Sequence, residues 1–155
     1  MQPRMKSPAI TLPGAREAVL TIVKATEGCG VPRATLELVN VRVGQINGCS
    51  VCVDMHTRAL KQLGESDVRI LVLAAWREAP YYTEAERAAL TLAEATTRLS
   101  DRADAVPDEV WKEVSRHFSE AALAALVMSI ALANLWNRLN VATRQISGEW
   151  VATYV

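Results

Sequence analysis

Cys49 and Cys52 stand three positions apart, and His56 follows four residues after the second cysteine. They lie in the run Gln45-Ile46-Asn47-Gly48-Cys49-Ser50-Val51-Cys52-Val53-Asp54-Met55-His56, in which Asn47-Gly48 is a turn dipeptide. A turn there makes the cysteines open a helix rather than sit inside one. At about 100° per residue, Cys49, Cys52, His56, Leu60 and Leu63 fall within one arc of that helix, the stripe expected to face the core. The thiols and the imidazole would then share a partly dry pocket, suited to an apolar or small neutral substrate.

Three effects favour thiolate chemistry at such a site. A helix N-terminus carries about half a positive charge, which stabilises a thiolate. A C-x-x-C dithiol can have its thiol pKa lowered further. His56 is the next-turn neighbour of Cys52 and can take its proton. Cysteines at this spacing also have α-carbons close enough to be bridged. The pattern reads as a redox dithiol with its own base. Two plainer readings compete with it: an inert buried cysteine pair beside a core histidine, and a zinc site. Zinc would find three ligands here, whereas a structural site takes four. The chain has no second C-x-x-C and His117 is remote, so no metal and no other cofactor is assigned. Cys29, between two glycines, is read as a packing residue. Glu37, in the apolar setting Leu36-Glu37-Leu38-Val39, is either an exposed edge residue or, if buried, a carboxyl with a raised pKa able to relay protons.

Those residues need a scaffold, and the punctuation of the chain predicts one. Helices are expected over about 14–27, 49–63, 66–78, 83–99, from 107, and 120–144. Gly64 is placed to cap the second of these, and Thr83 with Glu86 to form a capping box. Pro107 is read at the first helical position, with Asp108 and Glu109 over the dipole. The stretch 32–47 is ambiguous: Leu36, Leu38, Val41 and Val43 nearly alternate, yet Leu36, Val39, Val43 and Ile46 keep helical spacing. In the last helix Leu123, Val127, Ile130 and Val141, with Asn134 and Asn137, form one stripe. Met128, Leu132, Leu135 and Leu139 form another on the opposite face. Two apolar faces mean either a central helix of a monomeric bundle or a face for a second subunit.

Composition bounds the class. The 155 residues are 50% hydrophobic, with Lys+Arg 17 against Asp+Glu 17, so no basic footprint points to nucleic acid or an anionic membrane. Three cysteines are too few and too odd in number for a secreted disulfide scaffold. Pro8 and Pro13 interrupt any apolar leader, and the longest uncharged run, Ala121 to Asn137, fits a buried helix better than a membrane span. The expectation is one all-α domain over residues 1–155, soluble and cytoplasmic, with no nucleic-acid or membrane partner.

Glu37, Cys49 twelve residues on, Cys52 and His56 together resemble the signature of the alkylhydroperoxidase D-like family of the carboxymuconolactone decarboxylase superfamily. Val43-Gly44-Gln45-Ile46-Asn47-Gly48-Cys49, Asp54-Met55-His56-Thr57, Ala75-Trp76-Arg77-Glu78 and Asn134-Leu135-Trp136-Asn137-Arg138-Leu139 are similar to its bacterial members, and the likeness runs from about Gly14 to Thr143. The resemblance implies a compact bundle of about six to seven helices, with 32–47 helical, and a homo-oligomer, commonly a trimer or hexamer. It implies reduction of alkyl hydroperoxides through a dithiol/disulfide cycle recharged by a lipoyl- or thioredoxin-like dithiol reductant. By position, Cys52 is then the attacking thiol, Cys49 the resolving thiol, His56 the base and Glu37 the relay acid. One departure is Val51, where the best-known branch carries a second histidine. Two other classes stay open: a decarboxylase-type lactone enzyme, which needs no cysteine pair, and a non-catalytic redox-sensing dithiol protein.

Overall fold

Capping chemistry accounts for where the helices begin and end. The computed structural model describes residues 2–101, 103–148 and 150–151. Among these are eight α-helices, two 3₁₀ turns and no strand: α1 Pro8–Thr11, α2 Ala15–Ala25, α3 Arg33–Asn47, α4 Ser50–Gln62, α5 Asp67–Leu71, α6 Glu84–Thr97, α7 Asp108–His117 and α8 Glu120–Thr143. The count exceeds the expected six to seven because the four-residue α1 is too short to leave a periodic signal. The Thr83–Glu86 capping box is present, and Ser119 accepts from the Ala122 amide to start α8. Gly64 and Gly48 take the left-handed conformation that ends a helix. Pro107 is the N-cap of α7 rather than its first helical residue.

The ambiguous stretch is α3, a helix. Its valines favour strands intrinsically, but α3 packs against α4, α6 and α8, and Leu38, Val39, Val41 and Val43 are all buried. An element covered on several sides loses the one-sided periodicity that would identify it, and burial overrides propensity. The expected helix over 66–78 divides at Leu71 into α5 and a 3₁₀ turn, Val72–Ala75. Ile70, Leu73 and Trp76 are all buried, and a three-residue period keeps them on one side.

At 24 residues, about 36 Å long, α8 is the spine of the bundle, in contact with α2, α3, α4, α6 and α7. It alone among the described residues is long and apolar enough to cross a membrane, yet its buried residues, Leu126 and Ile130 among them, lie in the common core. The two predicted stripes are not cleanly opposed. Leu123 and Ile130 are buried as expected, but Val141 is exposed at the last turn of α8. On the other stripe Met128 and Leu135 are exposed, while Leu132, rotated about 40° from Met128, turns into the core.

Candidate active site

The turn at Gly48 delivers the cysteine pair. Gly48 ends α3, and Cys49 is the N-cap of α4, its sulfur 3.3 Å from the backbone N–H of Cys52. The cap geometry puts the Cys49 sulfur over the positive end of the helix, as the spacing predicts. Cys49 and Cys52 are joined as a disulfide with Cα atoms 5.4 Å apart. Both are buried, at 2% and 3% exposure, so Cys49 is not the more accessible of the two. Val51 and Val151 pack with the pair, and Met55 lies against them, sealing it from solvent. Gly44 permits the approach of α3: a Cβ there would stand 3.4 Å from Cys52 Cβ and 3.1 Å from Val53 Cγ2.

The structure brings Glu37 to His56. Glu37 Oε2 lies 2.6 Å from His56 Nδ1, and Glu37 Oε1 accepts from Arg33 Nε at 2.5 Å. Glu37 is 3% exposed, so the buried reading of this carboxyl is the right one. The expected rise in its pKa does not follow. Burial pushes the carboxyl up, but the hydrogen bond and charge of His56 and the charge of Arg33 outweigh it, holding Glu37 below its ordinary 4.5. An ionised Glu37 can only accept, which places a proton on His56 Nδ1 and leaves Nε2 to give or take one. His56 itself is partly exposed and, one turn beyond Cys52, links the buried pair to the surface.

Two site residues escaped the sequence reading. Asn140 on α8 directs Nδ2 at both sulfurs, 3.5 Å from Cys52 Sγ and 3.7 Å from Cys49 Sγ. Its signal was the recurrence of asparagine at 134, 137 and 140 in an otherwise apolar helix. Arg33 was visible as the residue four before Glu37, on the same face of a helix. Trp76 and Arg77 lie elsewhere in the contact map: with Arg42 they hold the buried Glu94, whose Oε1 accepts from Trp76 Nε1 at 3.0 Å and Arg42 Nε at 2.7 Å, and whose Oε2 accepts from Arg77 at 2.8 Å. Cys29 is a free thiol bonded to nearby backbone carbonyls. Among the described residues no group of three or more His, Cys, Asp or Glu is arranged to hold a metal ion.

A dithiol at a helix start, an amide on its sulfurs and a histidine oriented by a carboxylate can take up two electrons from the thiols while moving protons. Known proteins share this arrangement's scaffold. The sequence model of the carboxymuconolactone decarboxylase family matches residues 13–95. The uncharacterised protein YdfG of Bacillus subtilis is 38% identical over 130 residues, 84% of this chain and 87% of that one. A solved protein of unknown function from Agrobacterium tumefaciens, described in terms of antioxidant defence as AhpD, superposes with a TM-score of 0.87 at 31% identity, covering 95% of this chain and 99% of that one. Alkyl hydroperoxide reductase AhpD of a Bradyrhizobium species is 46% identical over 41 residues, 26% of this chain and 23% of its own length.

Proposed function

The chain belongs to the carboxymuconolactone decarboxylase family and has the alkylhydroperoxidase D-like fold, and we propose that it is a thiol peroxidase that reduces alkyl hydroperoxides. The observation that carries this reading is the Cys49–Cys52 disulfide at the start of α4, one helical turn from a histidine held by a buried carboxylate. In the reduced protein the Cys52 thiolate attacks one peroxide oxygen. The O–O bond breaks, Cys52 becomes a sulfenic acid, and the departing alkoxide takes a proton from His56 to leave as the alcohol. The Cys49 thiol then attacks the sulfenic sulfur, water leaves, and the disulfide forms. A lipoyl- or thioredoxin-like dithiol returns the pair to thiols by exchange. Glu37 keeps His56 in the tautomer this cycle needs. Where Val51 replaces a second histidine, a valine in contact with the pair seals it rather than relaying protons.

The test is consumption of tert-butyl or cumene hydroperoxide with dihydrolipoamide or thioredoxin as donor. Steady turnover with either donor is expected. No turnover, together with loss of a carboxylated lactone's ultraviolet absorbance, would favour the decarboxylase chemistry instead. A disulfide that forms stoichiometrically without turnover would favour a redox sensor.

The active form proposed here is a homo-oligomer, a trimer or hexamer, working on the cytoplasmic thiol pool. Support comes from Met128 and Leu135, exposed by 46% and 39% seven residues apart on one face of α8. A second copy laid on that face would bury both, stabilising the fold by mass action. Sedimentation at micromolar concentration should show an assembly, and Met128→Lys with Leu135→Lys should dissociate it; a stable 16.9 kDa species in the unaltered protein would refute the assembly.

A further inference from the structure

Beside the cysteine pair, a chain of asparagines ends in a buried donor that has no acceptor. The chain starts at Asn134, whose Nδ2 donates to the Ile130 carbonyl at 2.9 Å and to Thr97 Oγ1 at 3.2 Å. A carbonyl only accepts, so this end of the Asn134 amide is fixed as nitrogen. Its Oδ1 therefore faces Arg138 Nη1, itself a donor, at 3.0 Å, and Asn47 Nδ2 at 3.0 Å. Asn47 in turn must present its nitrogen, and Nδ2 also meets Asn137 Oδ1 at 2.9 Å. Each link fixes the next, and the last group, Asn137 Nδ2, is left buried without an acceptor among the described residues. Asn137 is 1% exposed. A donor so buried costs free energy unless something completes it.

Asn137 and Arg138 both line a pocket of about 360 Å³, with Asn47, Val141 and Ala142 as its other walls. Arg138 donates Nη1 to the backbone and side-chain oxygens of Asn134 and forms no ion pair among the described residues. The pocket thus offers one uncompensated cation, one unpaired amide donor and an apolar wall. That set matches a monoanion with a hydrocarbon tail: a carboxylate accepts from both donors, whereas a dianionic phosphate would leave one charge unmatched. The site adjoins the chemistry. Asn47 stands two residues before Cys49, and Asn137 stands three before Asn140, about 4.5 Å along the helix from the residue whose amide reaches both sulfurs.

We propose that this pocket seats the carboxylate of an organic acid whose other end reaches the Cys49–Cys52 pair; that this reactive end is a hydroperoxide rests on the function proposed above. The pocket is tested by binding, with octanoate as the probe and the neutral octanamide as its control. In ¹⁵N-labelled protein, octanoate should shift the Asn137 side-chain amide resonance saturably, and octanamide should bind at least about tenfold more weakly, the size expected for losing a charge-assisted hydrogen bond. Arg138→Glu should weaken octanoate by about tenfold or more, while Arg138→Lys, which keeps the charge, should retain most of the binding. Absence of a saturable shift, equal binding of octanamide, or indifference to Arg138→Glu would overturn the carboxylate seat. A parallel assay compares kcat/KM for a fatty-acid hydroperoxide and its methyl ester. Octanoate binding without turnover of any hydroperoxide leaves the seat standing and removes the peroxidase reading. Turnover of hydroperoxides without octanoate binding does the reverse.

Discussion

Glu37 on α3 and His56 on α4 are joined by a 2.6 Å contact between Oε2 and Nδ1, across a helix–helix interface that also positions the disulfide. The carboxylate has no other role that would require burial at 3% exposure, and Arg33 on its far oxygen keeps it ionised. Glu37 and His56 should therefore act as one proton-transfer unit. His56→Ala is expected to lower peroxide turnover by about 10²–10⁴-fold, the usual worth of general acid–base help. Glu37→Gln should then add little in the double variant, because the group it orients is gone. Steady-state kinetics on the two single variants and the double variant decide it: full activity in His56→Ala, or multiplicative losses, would dissolve the unit.

The same pair sets a limb of the acid stability profile. Burial raises the Glu37 pKa, but His56 and Arg33 outweigh burial and hold it below 4.5. A carboxyl depressed on folding contributes stability that is fully present above its unfolded pKa and is lost as pH falls through the folded one. Urea unfolding of the unaltered protein and of Glu37→Gln should thus show the largest stability gap above pH 4.5 and a shrinking gap below it. A gap that widens on acidification would mean the carboxyl is not held ionised in the fold.

How far the chain itself disclosed this site depends on whether its parts are local. The C-x-x-C, the histidine one turn on and the turn at Gly48 are all within ten residues, so spacing alone placed them on one helix start. The caps at Thr83, Gly64 and Ser119 are equally local, and most helix boundaries followed from them. The conformation of α3 was not legible from periodicity, because burial against three helices makes nearly every face apolar. Asn140 meets Cys52 across 88 positions of sequence, and the Asn47 bonds to Asn134 and Asn137 span 87 and 90. An asparagine in an apolar helix signals a polar partner, but only packing reveals which one.

Asn140 should tune the redox pair. Its amide lies 3.5 Å from Cys52 Sγ and 3.7 Å from Cys49 Sγ. A disulfide sulfur is a poor acceptor, whereas a thiolate takes a charge-assisted bond worth about 1.5–3 kcal/mol. The amide therefore favours the reduced, ionised state. Asn140→Ala should make the reduction potential more negative by about 30–60 mV, at roughly 30 mV per 1.4 kcal/mol for a two-electron couple. Equilibration in dithiothreitol buffers measures the shift. A potential that is unchanged or less negative would remove Asn140 from the thiolate's stabilisation.

The order in which the cysteines act follows from competing local effects. The α4 dipole and the Cys52 N–H both favour a thiolate at Cys49, but the dipole contribution is about 0.3–1 kcal/mol. His56 favours Cys52, since four residues is one turn while Cys49 lies seven residues away, about 10 Å along the axis. A base that removes the proton and then protonates the departing alkoxide is worth more than the dipole. Accessibility no longer separates the two, because Cys49 and Cys52 are equally buried. Cys52 is therefore expected to attack, and Cys49 to resolve. After reduction and one equivalent of peroxide, Cys49→Ser should trap a sulfenic acid at Cys52, seen as a dimedone adduct by mass spectrometry. Cys52→Ser should leave Cys49 largely unlabelled. Labelling at Cys49 and not at Cys52 would reverse the assignment, and would mean that the sulfur over the helix N-terminus, not the one nearer the histidine, holds the reactive thiolate.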